Sequence, residues 1–322
     1  MTTFKEIRGT AVQSVSTDPS NPESGQLWYN NSIGVLKGYA LGTASWASGG
    51  NLNTARSALG GAGTQTVGLG FGGYSGPSAA TEEYNGSAWT GGGNLGTARK
   101  YLAGCGLQTA GLAFGGESGT GITSATEEYD GSAWTGGGNL GTARNQIAGA
   151  GTQTAGLAFG GYNGTANLNS TEEYDGTSWT GGGNLGTARR AFAGAGTQTV
   201  GLGFGGFTTA VVANTEEYDG SAWTGGGNLN TARSSLGGAG TQTLALAFGG
   251  YNGTANTNVT EEYNGTSWTT STALTTTRRW IGGAGTQTAG LGFGGYTTTT
   301  VSNTEEYTGA ALAVKTITTS TS

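Results

Sequence analysis

The stretch "TEEYDGSAWTGGGNLGTAR" (Thr126–Arg144) decides the fold, because with small changes it recurs along most of the chain. Its companion is the triplet FGG, which begins at Phe71, Phe114, Phe159, Phe204, Phe248 and Phe293. The closing arginine recurs as Arg56, Arg99, Arg144, Arg189, Arg233 and Arg278, and both series step by 43, 45, 45, 44 and 45 residues. Periods in the forties with turn residues inside each unit indicate an array, a solenoid or a propeller.

Four strands are predicted in each unit. The first is "RSALGGAG" (Arg56–Gly63), followed by a "TQT" turn. The second is "VGLGFGG" (Val67–Gly73), where Val67, Leu69 and Phe71 alternate with glycine, the period of a strand. The third ends at Tyr84, and Asn85-Gly86 then predicts a two-residue type I′ hairpin loop. The fourth carries Trp89. That register sets Glu82 opposite Trp89 and puts Glu82, Tyr84 and Trp89 on one face.

Six such units with no helical pattern between them predict an all-β fold: a six-bladed β-propeller of four-stranded antiparallel blades. Each second strand is bulky on one face and bare on the other, so the bulk of one blade is expected to enter the hollow of the next. The sixth unit lacks its Trp, with Leu312 in that place, whereas "GTASWASGGNLNTAR" ahead of the first unit supplies Trp46. The amino-terminal strand around Trp46 is therefore expected to complete the last blade. Residues 1–40 are expected to form an extended attachment arm with a short hairpin, 41–309 the propeller, and 310–322 a surplus strand and Thr/Ser tail.

The units resemble Kelch repeats in their double glycine after an apolar strand, their Glu-x-Tyr before a turn, the following Trp and the arginine that opens the next unit. The resemblance covers Thr43 to Tyr307 and departs from the family in its short Tyr–Trp interval. It implies a Kelch-type propeller and no particular activity, since one fold serves many functions. A second resemblance rests on "EIRGTAVQSVSTDPSNPESGQLWYNNSIGVLKGY", the "GAGTQTAGLAFGG" units and the ending "VKTITTSTS", which are similar to virion structural proteins of tailed phages, particularly marine ones. "GQLWYN" is similar to elements of phage tail-fibre and appendage proteins.

Composition narrows the chemistry. Charged residues make up 10% of the chain and its net charge is −6, unlike the dense basic footprint of a nucleic-acid binder. No apolar run is long enough to span a membrane. Histidine is absent, which removes the commonest general acid–base group and the commonest metal ligand. Neither a metal nor another cofactor is expected. Cys105 replaces the alanine of the other units and is expected to be a buried filler.

The repeated acids do not make an active site, because a sixfold copy lacks the asymmetry that an acid and a base need. Instead the first Glu of each pair (Glu82, Glu127, Glu172, Glu216, Glu261, Glu305) is expected to meet a repeat arginine across neighbouring blades, Glu172 with Arg189 for example. The candidate binding residues are those that break the repetition. All variation in period lies between FGG and TEEY, in loops of 7, 9, 9, 8, 9 and 8 residues. The positions following the repeat arginine add Lys100, Tyr101, Arg190, Arg279 and Trp280 to the same face, a set suited to a glycan or an acidic partner.

Three functions are compatible with these residues. The first is a non-enzymatic virion component on a tail fibre, baseplate or capsid surface, assembled in the host cytoplasm. Its partners would be other virion proteins, reached through the arm and tail, and a cell-surface glycan; a homo-oligomer in the particle is compatible with it. The second is a free-standing carbohydrate-binding or adhesive module, and the third a Kelch-type sugar mutarotase.

Overall fold

Alternation of Leu and Phe with Gly or Ala gives four repeats a central strand buried along its whole length, and the second and sixth repeats one buried in all but its first residue. In the computed structural model, which describes residues 12–317, the chain is all-β and contains no helix among those residues. Eight sheets are formed, seven of four strands and one of three. They divide between two compact units, one running from Ser45 to Thr308 and the other combining the chain up to Ala44 with the chain from Gly309.

The larger unit is propeller-like. Each repeat makes one antiparallel sheet in chain order, as in the third: Ala148–Gly151, Gly156–Phe159, Thr171–Tyr174 and Trp179–Gly181. The sixth repeat supplies only Gly282–Gly285, Ala289–Phe293 and Thr304–Thr308; its fourth strand is Ser45–Ser48, with Trp46 opposite Tyr307.

Three local expectations are corrected. The first strand begins at Gly60 and not at Arg56, because Ala58 takes a left-handed φ of 53° that no strand accommodates. Val67 likewise stays outside the second strand, 45% exposed. The hairpin loop is not the two-residue type either: it spans Asn85–Ala88, and Tyr84 pairs with Trp89, Glu83 with Thr90 and Glu82 with Gly91. The reason is the Asn85 side chain, whose Oδ1 accepts from the backbone N–H of both Ser87 and Ala88. This Asx geometry needs positive φ only at Gly86, so a type I′ turn has no advantage. Glu82, Tyr84 and Trp89 still share one face, since the register moves by two residues.

Packing between sheets follows from side-chain size. A Cβ on Gly68 would stand 2.6 Å from Leu291 Cδ2, and one on Gly70 would stand 2.9 Å from Phe293 Cε2, so the sixth repeat's bulk fills the first repeat's hollow. The same relation joins Gly111 to Leu69, Gly156 to Leu112, Gly201 to Leu157 and Gly290 to Leu246. Farther out, each Trp lies on the Phe of the preceding repeat, as Trp134 does on Phe71 with centroids 4.9 Å apart. Its indole N–H donates to a threonine there, Trp134 to Thr81 and Trp89 to Thr304.

Two further links between repeats use residues that the sequence pattern does not explain. The glutamine of "TQT" donates to two carbonyls of the preceding repeat, Gln108 to Gly68 and Tyr84, and Gln65 to Gly290 and Tyr307. The second Glu of each pair accepts from the next repeat's tyrosine, Glu83 from Tyr129 and Glu306 from Tyr84, each at 2.6 Å. Burial and this carboxylate together push the phenols of Tyr84 and Tyr129 up to about 12.

The arginines pair within their own repeat and not across repeats. Glu172 is bonded to Arg144, while Arg189 faces Glu216 at 3.3 Å. Arg56–Glu82 and Arg99–Glu127 close at 2.8 Å, and Arg233–Glu261 and Arg278–Glu305 at 3.0 Å. Crossing between repeats falls to the arginine backbone, whose carbonyl accepts from the second FGG glycine of the preceding repeat: Arg99 from Gly73, and Arg56 from Gly295. Each guanidinium also donates to its own repeat's carbonyls, Arg56 to Gly72 and Ala80. Such a residue can neither leave nor turn without opening both sheets.

In the smaller unit, Gln13–Val15, Leu27–Asn30, Val35–Leu41 and Leu312–Thr316 form one sheet. The surplus strand thus pairs with the amino-terminal hairpin, Leu312 opposite Leu41, and the two ends form a sheet where an extended arm and a separate tail were expected. Residues 1–11 and 318–322 of that arm and tail lie outside the described residues. Asp18 ties the sheet together, accepting from Trp28 Nε1 at 3.0 Å, Asn30 Nδ2 at 2.8 Å and Lys37 Nζ at 2.6 Å. The Lys37 bond, followed by those of Asn30 and Trp28, lowers its carboxyl to about 2 from the ordinary 3.8. A depressed carboxylate stabilises above its unfolded pKa and ceases to do so as pH falls through the folded one. Thermal melts followed by the NMR signal of the Trp28 indole N–H should therefore hold steady down to about pH 4 and fall between there and pH 2. Asp18→Asn should remove that fall, and an unchanged slope in the variant would refute the assignment.

Candidate functional site

The variable loops start from a small bridged element. The residue after each repeat arginine pairs with the residue after FGG, which in turn pairs with a loop residue: Ser57 with Tyr74 and Tyr74 with Pro77, or Arg190 with Phe207 and Phe207 with Val211. In the second repeat this grows into a three-stranded sheet of Arg99–Lys100, Glu117–Ser118 and Gly121–Ile122. The loops and the post-arginine residues therefore share one face.

The next residue in each repeat is left-handed: Ala58, Tyr101, Gln146, Ala191, Ser235 and Trp280, with φ between 50° and 57°. None is β-branched, as that conformation requires of a non-glycine residue. The strain, of order 1–3 kcal/mol for each such residue, is held by a backbone hydrogen bond to its counterpart in the preceding repeat. Tyr101 N–H donates to Ala58 C=O, Gln146 to Tyr101, Ala191 to Gln146, Ser235 to Ala191, Trp280 to Ser235 and Ala58 to Trp280. These residues and the inner-strand glycines line a cavity of about 140 Å3.

Of the predicted binding residues, Tyr101 and Trp280 are brought into contact, their rings edge to face with centroids 4.8 Å apart. Burial pushes the Tyr101 phenol upward against the opposing pull of Lys100. Lys100 Nζ stands 5.2 Å from the Tyr101 ring and 5.0 Å from that of Tyr74. Arg279, beside Trp280 in the chain, lies over Tyr251 and Tyr296 at 5.0 and 5.2 Å. Arg190 lies elsewhere, over Tyr162 and Phe207 at 4.7 and 5.1 Å, in an open cleft of about 420 Å3 that Glu117, Asn145 and Gln146 also line.

Each cation is thus seated on two aromatic rings from consecutive repeats, a contact worth roughly 0.5–2 kcal/mol. Of these rings only Tyr101 is among the residues singled out from the sequence; Tyr74, Tyr162, Phe207, Tyr251 and Tyr296 are not. The signal was available: an aromatic residue follows FGG in every repeat but the second, which has Glu117. Lys100 makes an ion pair with Glu117 at 3.3 Å, and Arg190 Nη1 donates to Asn167 Oδ1 at 3.1 Å.

Cys105 is buried and unpaired, its thiol pushed up to about 12 by burial, so it is not a nucleophile at neutral pH. Among the described residues no group of three or more Cys, Asp or Glu could hold a metal ion. The chain matches no protein-family model, and no curated protein is found to be similar to it.

Proposed function

We propose that this chain is a non-enzymatic structural protein of a tailed-phage virion, a Kelch-type propeller of six blades that displays its loop face for recognition of a host-surface glycan. The virion assignment follows from the second sequence resemblance. Six blades and a closed ring are favoured by three bonds that join each repeat to its successor and recur between the sixth and the first: Ala58 to Trp280, Gly295 to Arg56, and Gln65 to Tyr307. The observation that carries recognition is the division of labour among residues. The first glutamates, the arginines and the Trp of the repeats are engaged in the frame, whereas Lys100, Tyr101, Arg190, Arg279 and Trp280 break the repetition and gather on the loop face.

A glycan array probed with the wild-type chain and with Lys100→Ala/Arg190→Ala/Arg279→Ala tests this reading. The variant should bind at least about tenfold more weakly while melting as cooperatively as the parent, since a hydrogen bond from a charged group to a ligand is worth roughly 1.5–3 kcal/mol. Undiminished binding by a folded variant would overturn recognition through this face. Mass spectrometry of purified virions tests the location, and absence of the chain from the particles would overturn it.

A further inference from the structure

The loop face has a motif of its own, longer than one repeat. Cations follow the repeat arginine in the second, fourth and sixth repeats (Lys100, Arg190, Arg279), and Ser57, Asn145 and Ser234 follow it in the others. The loops "YNGTAN" of the third and fifth repeats match each other, and in both the asparagine side chain donates to carbonyls of the next repeat: Asn167 to Phe207 and Thr208, Asn256 to Tyr296 and Thr297. The face is therefore built from pairs of repeats. Against that order a single position is anomalous, because Glu117 stands where the other repeats place Tyr or Phe.

The exchange has three consequences. Removing an aromatic ring leaves an open cleft of about 420 Å3, within the range of roughly 300–1,000 Å3 typical of small-ligand sites. It also introduces a carboxylate that is held from two sides, by Lys100 at 3.3 Å and by Nδ2 of the buried Asn145 at 3.0 Å. Finally, it places this held carboxylate in one cleft with Arg190, which makes no ion pair among the described residues. Lys100 and Glu117 offset each other, so one positive charge stays uncompensated in a chain of net charge −6. Gln146 also lines the cleft, and its side-chain amide makes no hydrogen bond among the described residues.

We infer that this cleft binds the carboxylate-bearing ring of an acidic sugar, with the carboxylate on Arg190 and ring hydroxyls on Glu117 and Gln146. A guanidinium presents parallel N–H donors that match a carboxylate, and its contact with Tyr162 and Phe207 fixes the plane in which they lie. A fixed carboxylate accepts from hydroxyl groups, and an amide can both donate and accept. The other two cations differ: Lys100 is already compensated by Glu117 at 3.3 Å, and Arg279 is flanked by the rings of Tyr251 and Tyr296. One ligand per chain is therefore expected, despite the sixfold repetition.

This inference rests on the glycan reading and deepens it, so the test separates the two. Uronic-acid and sialic-acid oligosaccharides, their methyl esters, neutral oligosaccharides and inorganic phosphate are titrated against the wild type, Arg190→Lys and Glu117→Gln. The expected result is binding of the acids alone, weakened about tenfold or more by Arg190→Lys and by esterification, because both abolish a bidentate charged pair. Glu117→Gln should weaken it several-fold, and all proteins should melt cooperatively. Glycan binding that survives Arg190→Lys, or that is equal for neutral sugars, would overturn the cleft assignment and leave the recognition reading standing. Phosphate competing as well as the acidic sugar would reduce the cleft to a plain anion site and overturn the sugar assignment. No binding to any glycan would overturn both.

Discussion

Replacing Glu261 by alanine is expected to lower the unfolding free energy by about 3–5 kcal/mol, the usual effect of removing one member of a buried ion pair. Both side chains of the pair with Arg233 are fully buried, 3.0 Å apart. Glu261 also accepts the Asn230 backbone N–H at 2.7 Å, so alanine leaves a guanidinium without its counter-ion and a backbone donor without its acceptor. Burial already holds Arg233 down at about 10, the mark of a cation that the folded state accommodates reluctantly. The pair therefore specifies geometry more than it supplies stability. Changing both residues, as in Arg233→Met/Glu261→Leu, should restore only part of the loss. Arg233 also donates to the carbonyls of Gly249 and Val259, and each orphaned carbonyl costs about 1–3 kcal/mol. Urea unfolding of the parent, both single variants and the double variant measures these differences. A loss below about 1 kcal/mol for Glu261→Ala would mean that Arg233 is solvated after all, as in an exposed pair.

Much of this frame was legible because repetition turns residue types into geometry. The steps of the FGG and arginine series gave the repeated four-stranded antiparallel sheets and their strand order, and alternation in "GLGF" gave the buried faces. Size complementarity was legible as well, since Gly68 and Gly70 need bulky neighbours and Leu291 and Phe293 need hollows. Partner choice was not. Glu172 lies as plausibly near Arg189 as near Arg144 in sequence, and only the three-dimensional turn of the chain brings Arg144 to it. The hairpin loop was misjudged for a related reason: Asn85-Gly86 permits a two-residue turn, but the side chain of Asn85 stabilises a four-residue one. At the candidate site, Lys100, Arg190 and Arg279 stood out as exceptions to the repeat. The aromatic seats of the two arginines did not, because Tyr162 and Phe207 precede or follow Arg190 by many residues and carry no charge.

Trp46 provides the sharpest test of how the chain ends its run of repeats. Trp268 belongs to an internal repeat: it lies 4.9 Å from both Phe204 and Tyr263, and its indole donates to Thr215 at 3.0 Å. Trp46 reproduces that environment from the other end of the larger unit, 5.2 Å from Phe248 and 5.0 Å from Tyr307, with its indole on Thr260 at 3.0 Å. Alanine at either position removes a buried indole, leaves a cavity and orphans a threonine hydroxyl, so each is expected to cost about 3–5 kcal/mol. The comparison of the two values carries the information. A terminal strand that merely leaned on its neighbour would fray before global unfolding, and its tryptophan would contribute little to the measured free energy. A strand on which the last sheet depends contributes as fully as an internal one. Equal losses for Trp46→Ala and Trp268→Ala in urea unfolding would therefore support a ring closed by strand Ser45–Ser48. A full loss for Trp268→Ala beside a loss under about 1 kcal/mol for Trp46→Ala would leave the sixth sheet open at its edge.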